Sequence, residues 1–297
     1  QLLSVCHNDP ILAVERLPEL WKQHKKLNQQ LASEAAIQAE IQQLTDAGGT
    51  LICWGDLEYP NALAQTPDAP IVLSVLGDSS WLNRAQVAIV GNRNASAAGA
   101  KFSETIAQDF AAAGLAVTSG LARGIDAAAH RGALAAGGGT VAAVAGGVDH
   151  IYPPENKGLR EEIMASGCVV SEHAWGETPT ARHFPRRNRI IAGLSLATVV
   201  CEASRRSGTL ITTSYAGEYG RDVFAVPGSP ADPRAAGPNH LLKQGAQALT
   251  EAADLLDSIK PSMSVNAQPA VRYTREQQDL FAPESGAEQK LNGADFS

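Results

Sequence analysis

The chain has 297 residues, of which 44% are hydrophobic and 19% are charged, a composition typical of a soluble globular protein. Its formal net charge of −7 excludes a uniformly basic protein that coats nucleic acid, so contact with a polyanion requires a local basic patch. The four cysteines form no Cys-x-x-Cys pair, which argues against a zinc site and against a disulfide framework.

Residues 1–47 have apolar side chains at spacings near three and four, which predicts a small helical domain. The chain opens with Gln1 rather than methionine, and we expect it to be a fragment or a trimmed product. No secretory signal and no apolar stretch long enough to span a membrane is evident, so a cytoplasmic location is expected. Two short strands are predicted at residues 50–54 and 71–75, after Gly48 and Gly49.

From residue 87 onward, short apolar segments alternate with helical ones. Strands are predicted at 87–91, 115–118, 140–144, 168–171, 196–201 and 222–226, and helices at 100–113, 125–136, 156–165 and 210–220. This alternation is typical of an α/β domain with a mostly parallel, doubly wound, Rossmann-like sheet, which we assign to residues 48–259. Ligands of such a sheet bind at the carboxyl ends of its strands.

Glycine-containing polar loops follow these strands, the first of them at residues 91–96. Backbone N–H groups in such loops can approach an anion, so phosphate is expected to bind there. Neither the dinucleotide fingerprint nor the Walker loop is present, and no cofactor is predicted. Asp126 and His130 lie four residues apart, but we interpret Asp126 as a helix N-cap and expect no metal site.

The most basic stretch runs from residue 181 to residue 195, directly before a predicted strand. Residues 181–206 contain six arginines and one acid, Glu202. Guanidinium groups bind phosphate oxygens, and Phe184 among them offers a face for an unpaired base. We interpret the stretch as a loop at the entrance of the strand. The alternative is a solvated arginine cluster that only aids solubility.

An ordered series of motifs between about residues 48 and 253 resembles the DNA-processing protein A family, also called DprA or Smf. The series includes Ser-Gly-Leu-Ala-Arg-Gly-Ile-Asp at 119–126, Tyr-Pro-Pro at 152–154, Phe-Pro-Arg-Arg-Asn-Arg at 184–189 and Ser-Gly-Thr at 207–209. The resemblance implies an extended Rossmann-like domain, preceded by a helical domain similar to the sterile-alpha-motif (SAM) fold, in a homodimer.

The resemblance also implies a function without catalysis. It describes a bacterial protein of natural transformation and recombination that binds and protects incoming single-stranded DNA and helps to load the RecA recombinase past single-strand-binding protein. By matching position, it implies one pocket for single-stranded DNA, lined by Gly91, Arg93, Phe184, Arg186, Arg187, Asn188, Arg189, Ser207, Gly208 and Thr209. For Arg189 an alternative stays open, in which it pairs with Glu172 or Glu202 and holds the loop.

Many relatives end in a winged-helix domain, whereas residues 260–297 are short and polar. We expect a linker or disordered tail there, with the winged helix absent or truncated. The dimer surface is expected near residues 239–242. The rival function is a Rossmann-like nucleotide-processing enzyme of the nucleoside-monophosphate phosphoribohydrolase type, in which Glu172 and Glu202 would act as paired carboxylates.

Overall fold

The computed structural model describes residues 32–266. The chain divides into two compact units, Gln1–Gln43 and Leu44–Ser297. Helix α1, Glu34–Asp46, begins in the first unit and ends in the second. Most of the helical domain expected for residues 1–47, and most of the tail expected for residues 260–297, lie outside the described residues.

Within residues 32–266, nine strands form one sheet. They are β1 (Gly49–Cys53), β2 (Val72–Gly77), β3 (Gln86–Val90), β4 (Ala116–Ser119), β5 (Thr140–Ala143), β6 (Cys168–Ser171), β7 (Ala197–Val200), β8 (Asp222–Ala225) and β9 (Gln247–Ala248). After α1, the helices are α2 (Asn61–Ala64), α3 (Ala97–Ala112), α4 (Ile125–Ala135), α5 (Lys157–Ser166), α6 (His183–Leu194), α7 (Thr209–Glu218), α8 (Ala236–Lys243) and α9 (Ala252–Asn266). In the described ranges we find no helix with the length and apolar content needed to cross a bilayer.

The order of the strands places a ligand site near the middle of the sheet. The order is β1-β2-β6-β5-β4-β3-β7-β8-β9. In this spatial order, every neighbouring pair from β6 through β5, β4, β3, β7 and β8 to β9 is parallel. At one edge, β2 pairs antiparallel with β6, and β1 pairs antiparallel with β2. Because β4, β5 and β6 extend to one side of β3 and β7 to β9 extend to the other, the switch point lies between β3 and β7. The doubly wound, mostly parallel fold expected from the sequence is confirmed.

Strand β3 lies at the centre of two apolar layers. All five of its residues are buried. Val87 and Ile89 pack into a cluster on one face with Phe110 of α3, whereas Ala88 and Val90 pack on the other face with Ile190 of α6. Successive side chains of a strand point to opposite faces, so the apolar run at residues 87–90 of β3 is what a sheet covered on both faces requires.

One local prediction is wrong, because residues 183–194 form helix α6 rather than a loop. Pro185 is the third residue of this helix, and its missing N–H belongs to the first turn, where backbone N–H groups have no partner within the helix. Ile190, Ile191 and Leu194 are buried and hold the helix against the sheet. Helices α8 and α9 were not predicted, and α9 continues to Asn266, past the boundary expected at residue 260.

His130 of α4 is a fully buried histidine beneath the sheet. Its Nδ1 lies 2.7 Å from Thr140 Oγ1, and Thr140 Oγ1 donates to the carbonyl of Val117 at 2.5 Å. Its Nε2 is buried without a hydrogen-bond partner. Burial, assisted by the positive charges of Arg187 and Arg131, lowers the pKa of His130 to about 3. The folded protein therefore holds this imidazole neutral.

We expect this histidine to make stability depend on pH. Its folded pKa lies below the unfolded value of 6.5, so its contribution is complete above that pH and is lost as the pH falls toward 3. The free energy of unfolding should fall by about 1.4 kcal/mol per pH unit within that window. Urea unfolding at several pH values measures the slope. A His130→Leu variant should lose this part of the slope, and equal slopes for variant and parent would contradict the assignment.

Candidate nucleic-acid interface

A cavity of about 630 Å³ lies at the switch point between β3 and β7. It is lined by the loops after β3, β4, β7 and β8, by the first turns of α4 and α7, and by one side of α6. Eight of the ten residues expected to bind DNA line this cavity, namely Gly91, Arg93, Phe184, Arg187, Asn188, Ser207, Gly208 and Thr209. The charged side chains in the lining are three arginines and one aspartate, so the lining is net positive.

The other two expected residues, Arg186 and Arg189, do not line this cavity, and the expectation of a single pocket is wrong for them. They line a second cavity of about 500 Å³, together with Asp68, Glu172 and Tyr215. The cause is helical geometry. Successive residues of a helix are rotated by about 100°, so the residues at 184, 187 and 188 face one side of α6 while those at 186 and 189 face another.

Arg189 is held by a buried ion pair. The side chains of Arg189 and Glu172 are each 7% exposed, and Arg189 Nη2 donates to Glu172 Oε2. Arg189 Nη1 also donates to the carbonyl of Asp68 at 2.7 Å. Arg186 Nε lies 3.1 Å from Glu172 Oε1, although the Arg186 side chain is 63% exposed. Of the alternatives open for Arg189, the structure shows the pairing with Glu172.

Arg187 connects helix α6 to the sheet. Its side chain is 5% exposed, and its Nη1 donates to the carbonyls of Gly120 at 2.6 Å and Ala143 at 2.5 Å. These carbonyls lie at the carboxyl ends of β4 and β5. Without Arg187 they would be buried acceptors that have no hydrogen-bond donor. A side chain at Gly120 would displace the guanidinium from its present position, so the glycine leaves room for this close approach. Burial lowers the pKa of Arg187 to about 10, opposed by the charge of Asp126.

Asp126 does not cap helix α4 as expected, because Gly124 occupies the N-cap position with φ +73°. A side chain at Gly124 would collide with the carbonyl oxygens of Asn92 and Arg93. Asp126 lies in the first turn, and its carboxylate accepts a hydrogen bond from the Gly120 N–H at 3.2 Å. Burial raises the pKa of Asp126, opposed by Arg187 and by backbone N–H donors. Asp126 therefore organises the loop after β4.

The Ser-Gly-Thr turn joins the start of α7 to the loop after β3. Thr209 Oγ1 donates to the carbonyl of Gly91 at 3.1 Å, and Asn188 Nδ2 donates to the carbonyl of Gly208 at 3.2 Å. Helix α7 begins at Thr209 and has no acidic residue in its first turn. The N–H of Thr209 donates to Ser207 Oγ at 3.2 Å, and the next two N–H groups donate to the carbonyls of residues 207 and 208. The positive end of the helix dipole therefore remains available to an anion in the cavity, whereas these N–H groups are already paired.

Phe184 lies between a cation and a second aromatic ring. The guanidinium carbon of Arg93 is 5.1 Å from the centroid of the Phe184 ring, and Tyr152 packs edge-to-face against that ring at 5.5 Å. Arg93 and Tyr152 are both exposed. The three side chains form a partly exposed aromatic and cationic surface at the mouth of the cavity.

Arg234 is a cavity residue that the sequence analysis missed. It is exposed, and its Nε donates to the carbonyl of Asn94 at 3.4 Å. It follows β8, whose carboxyl end lies at the same edge of the sheet as that of β7. The signal was therefore present in the sequence, as Asp-Pro-Arg after a predicted strand at 222–226.

The two glutamates of the rival enzymatic function do not meet in this cavity. Glu202 Oε2 accepts a hydrogen bond from the Ser96 N–H at 2.9 Å, and Ser96 caps helix α3. Glu172 is paired with Arg189 on the other side of α6. Neither glutamate lines the cavity, so the structure does not provide the paired carboxylates that this enzyme would need.

Known proteins are similar to this chain in both sequence and fold. A family described as DNA recombination-mediator protein A matches residues 50–260. The chain is 46% identical over 198 residues to the DNA processing protein DprA of Streptococcus pneumoniae, which covers 67% of this chain and 70% of that relative. The X-ray structure of DprA from S. pneumoniae has a TM-score of 0.72 at 38% identity and covers 86% of each chain. A structure of DNA processing protein A from Helicobacter pylori, which describes a single-stranded DNA binding mode, has a TM-score of 0.65 at 26% identity and covers 72% of this chain and 96% of that one.

We expect Glu172→Gln to destabilise the fold by about 3 kcal/mol, because it leaves the buried Arg189 guanidinium with only the more exposed carboxylate of Asp68, 3.8 Å from its Nε, as a counter-charge. Arg186→Ala is the matched control and should cost less than about 1 kcal/mol, because Arg186 is exposed. Urea unfolding of both variants measures the difference. Equal, small effects of the two changes would contradict the importance of the buried pair.

Proposed function

The chain belongs to the DNA recombination-mediator protein A family, and from that premise we propose that it binds single-stranded DNA in the cavity between β3 and β7. The observation that carries this proposal is the combination of a net positive lining with the partly exposed ring of Phe184. Proteins that bind single strands combine positive grooves for the backbone with aromatic faces for the bases.

The phosphates would contact the rim of the cavity and the start of α7. Arg93 and Arg234 are the exposed arginines in the lining, and residues at the beginning of α7 line the same cavity. Contacts of this kind fix the position of a strand without reading its sequence. They also make the affinity fall as salt concentration rises, because bound phosphates release counterions.

An unpaired base would stack near Phe184. In a duplex the base faces are covered by their neighbours, whereas a single strand can turn a base outward onto an aromatic ring. Tyr152, which packs against Phe184, supports that ring from the side. We therefore expect single strands to be preferred over duplex of equal length.

Arg187 and Asn188 would act mainly by shaping this site. Arg187 Nη1 is already occupied by two carbonyls, and Asn188 Nδ2 holds the Ser-Gly-Thr turn. Arg189 would stabilise α6 from its other side through Glu172. Arg186 is exposed there and would reach DNA only if the strand crosses α6.

We place this binding in natural transformation and recombination. In this proposal the cytoplasmic protein protects incoming single strands and helps to load RecA onto them in competition with single-strand-binding protein. Two protomers of a homodimer would bind one strand with higher avidity than a single protomer. The family description, recombination mediator, supports a role in which the bound strand is transferred rather than cleaved.

Replacing Arg93 or Arg234 by glutamine should weaken binding to oligothymidine and flatten its salt dependence. Each lost phosphate contact should reduce the slope of log affinity against log salt by about 0.7. Fluorescence anisotropy with a labelled oligothymidine at several salt concentrations measures both quantities. Arg131→Gln is the control, because Arg131 is an exposed arginine that does not line the cavity.

Phe184→Leu should behave differently, weakening binding by about 1–3 kcal/mol with the salt slope retained, because stacking releases few counterions. If all three cavity variants bound as tightly as the parent, the assigned site would be wrong. Release of free nucleobase from a nucleoside monophosphate by the parent would instead favour the enzymatic function.

A further inference from the structure

Two histidines and a glutamate meet on the segment that joins β6 to α6, and none of them lines the 630 Å³ cavity. Glu177 Oε2 lies 3.2 Å from His173 Nδ1, and Glu177 Oε1 lies 3.5 Å from His183 Nε2. One ligand atom from each side chain lies within 4.8 Å of the others. The three residues therefore form a compact set of donor atoms.

The spacing of this set suits a tetrahedral metal ion. Zinc binds imidazole nitrogen and carboxylate oxygen at about 2.0–2.2 Å, which places neighbouring ligand atoms of a tetrahedron roughly 3.3–3.5 Å apart. Each imidazole lies near a different oxygen of Glu177, at 3.2 and 3.5 Å, and the two rings are stacked with centroids 4.2 Å apart. To bind one ion, the rings would have to turn toward a common point, starting from ligand atoms that all lie within 4.8 Å of one another. Two imidazoles and one carboxylate are also a known ligand set for transition metals, with a further position left open for water.

The backbone already holds the ligands in place. The Glu177 N–H donates to the carbonyl of Ala174 at 3.1 Å, and the Glu177 carbonyl accepts from the Gly147 N–H at 2.9 Å. The His183 N–H donates to the carbonyl of Thr180 at 3.0 Å. Backbone hydrogen bonds therefore already order the segment that carries the ligands, so metal binding would not have to supply the entropic cost of ordering a flexible loop.

The buried imidazole of His173 has one nitrogen without a hydrogen-bond partner. Its side chain is 8% exposed, and its Nε2 has no hydrogen-bond partner. Nε2 lies across the ring from Nδ1, the nitrogen that faces Glu177, so it shows a half-satisfied imidazole and does not mark the position of the ion. Glu177 is 39% exposed and opens the set to solvent. The weak contact of 3.4 Å from the Thr180 N–H to His183 Nδ1 would be released, because binding through Nε2 places the proton on Nδ1.

We propose that His173, Glu177 and His183 bind one divalent transition-metal ion of the zinc type. The ion would join the segment after β6 to the first turn of α6, one residue before Phe184. Sequence analysis expected no metal site and did not single out these three residues, whose spacings of four and six residues match no common zinc motif.

The test is a titration of the metal-free protein with Zn²⁺ in competition with a chromophoric chelator. The parent should bind one ion per chain, and Glu177→Gln and His183→Gln should each weaken binding by at least about ten-fold. His240→Gln is the control, because His240 lies on α8 outside the set, and it should bind Zn²⁺ as the parent does. Co²⁺ should give the visible absorption of a tetrahedral site in the parent and in the control only.

Thermal unfolding with and without Zn²⁺ separates loss of the site from loss of the fold. Zn²⁺ should raise the Tm of the parent but not that of Glu177→Gln. Because Glu177 is 39% exposed, the metal-free variant should keep a Tm close to that of the metal-free parent. The proposal is overturned if the parent binds Zn²⁺ no more tightly than the Glu177→Gln/His183→Gln double variant. It is also overturned if the Co²⁺ spectrum shows thiolate ligands.

Discussion

The guanidinium of Arg187 is the contact on which the site depends. Parallel strands end in carbonyl groups that the sheet itself cannot satisfy, and Arg187 supplies donors to two of them, at Gly120 and Ala143. In doing so it holds helix α6 against the carboxyl ends of β4 and β5. Removing this charge would leave buried acceptors without partners. Asp126 lies close enough to offset the buried positive charge, so the cation and the carboxylate stabilise the loop after β4 together.

Helix α6 places the side chains of the arginine-rich stretch on two different sides. One side, with Phe184, faces the cavity at the switch point. The other side carries the buried pair of Arg189 with Glu172, which also contacts Arg186. A single basic stretch in the sequence thus lines the cavity that we propose to bind DNA and also supplies contacts that hold α6 in place. The exposed arginines at the rim, Arg93 and Arg234, come from other loops, so the positive field of the site is assembled from distant parts of the chain.

Much of the fold could be predicted from the sequence, since continuous apolar runs such as residues 87–90 of β3 have few alternatives to a buried parallel sheet. The position of the site followed from the polar loops at the strand ends. Helix α6 was missed because its first turn contains Pro185 and a dense run of polar residues, and its apolar positions at Ile190 and Ile191 read equally well as the start of the next strand. The rotation of Arg186 and Arg189 away from the cavity follows only once that helix is known. The buried state of Arg187 depends on carbonyls 44 and 67 residues away in the chain, which no local pattern reveals.

A crystal structure of this chain with a short oligothymidine tests the central claim most directly. The account predicts electron density for the DNA in the cavity between the ends of β3 and β7. The phosphates should lie beside Arg93 and the start of α7, and one base should lie against Phe184. Arg187 should keep its bonds to the two strand-end carbonyls. Oligothymidine bound instead in the cavity lined by Arg186 and Arg189, or elsewhere on the protein, would contradict the account.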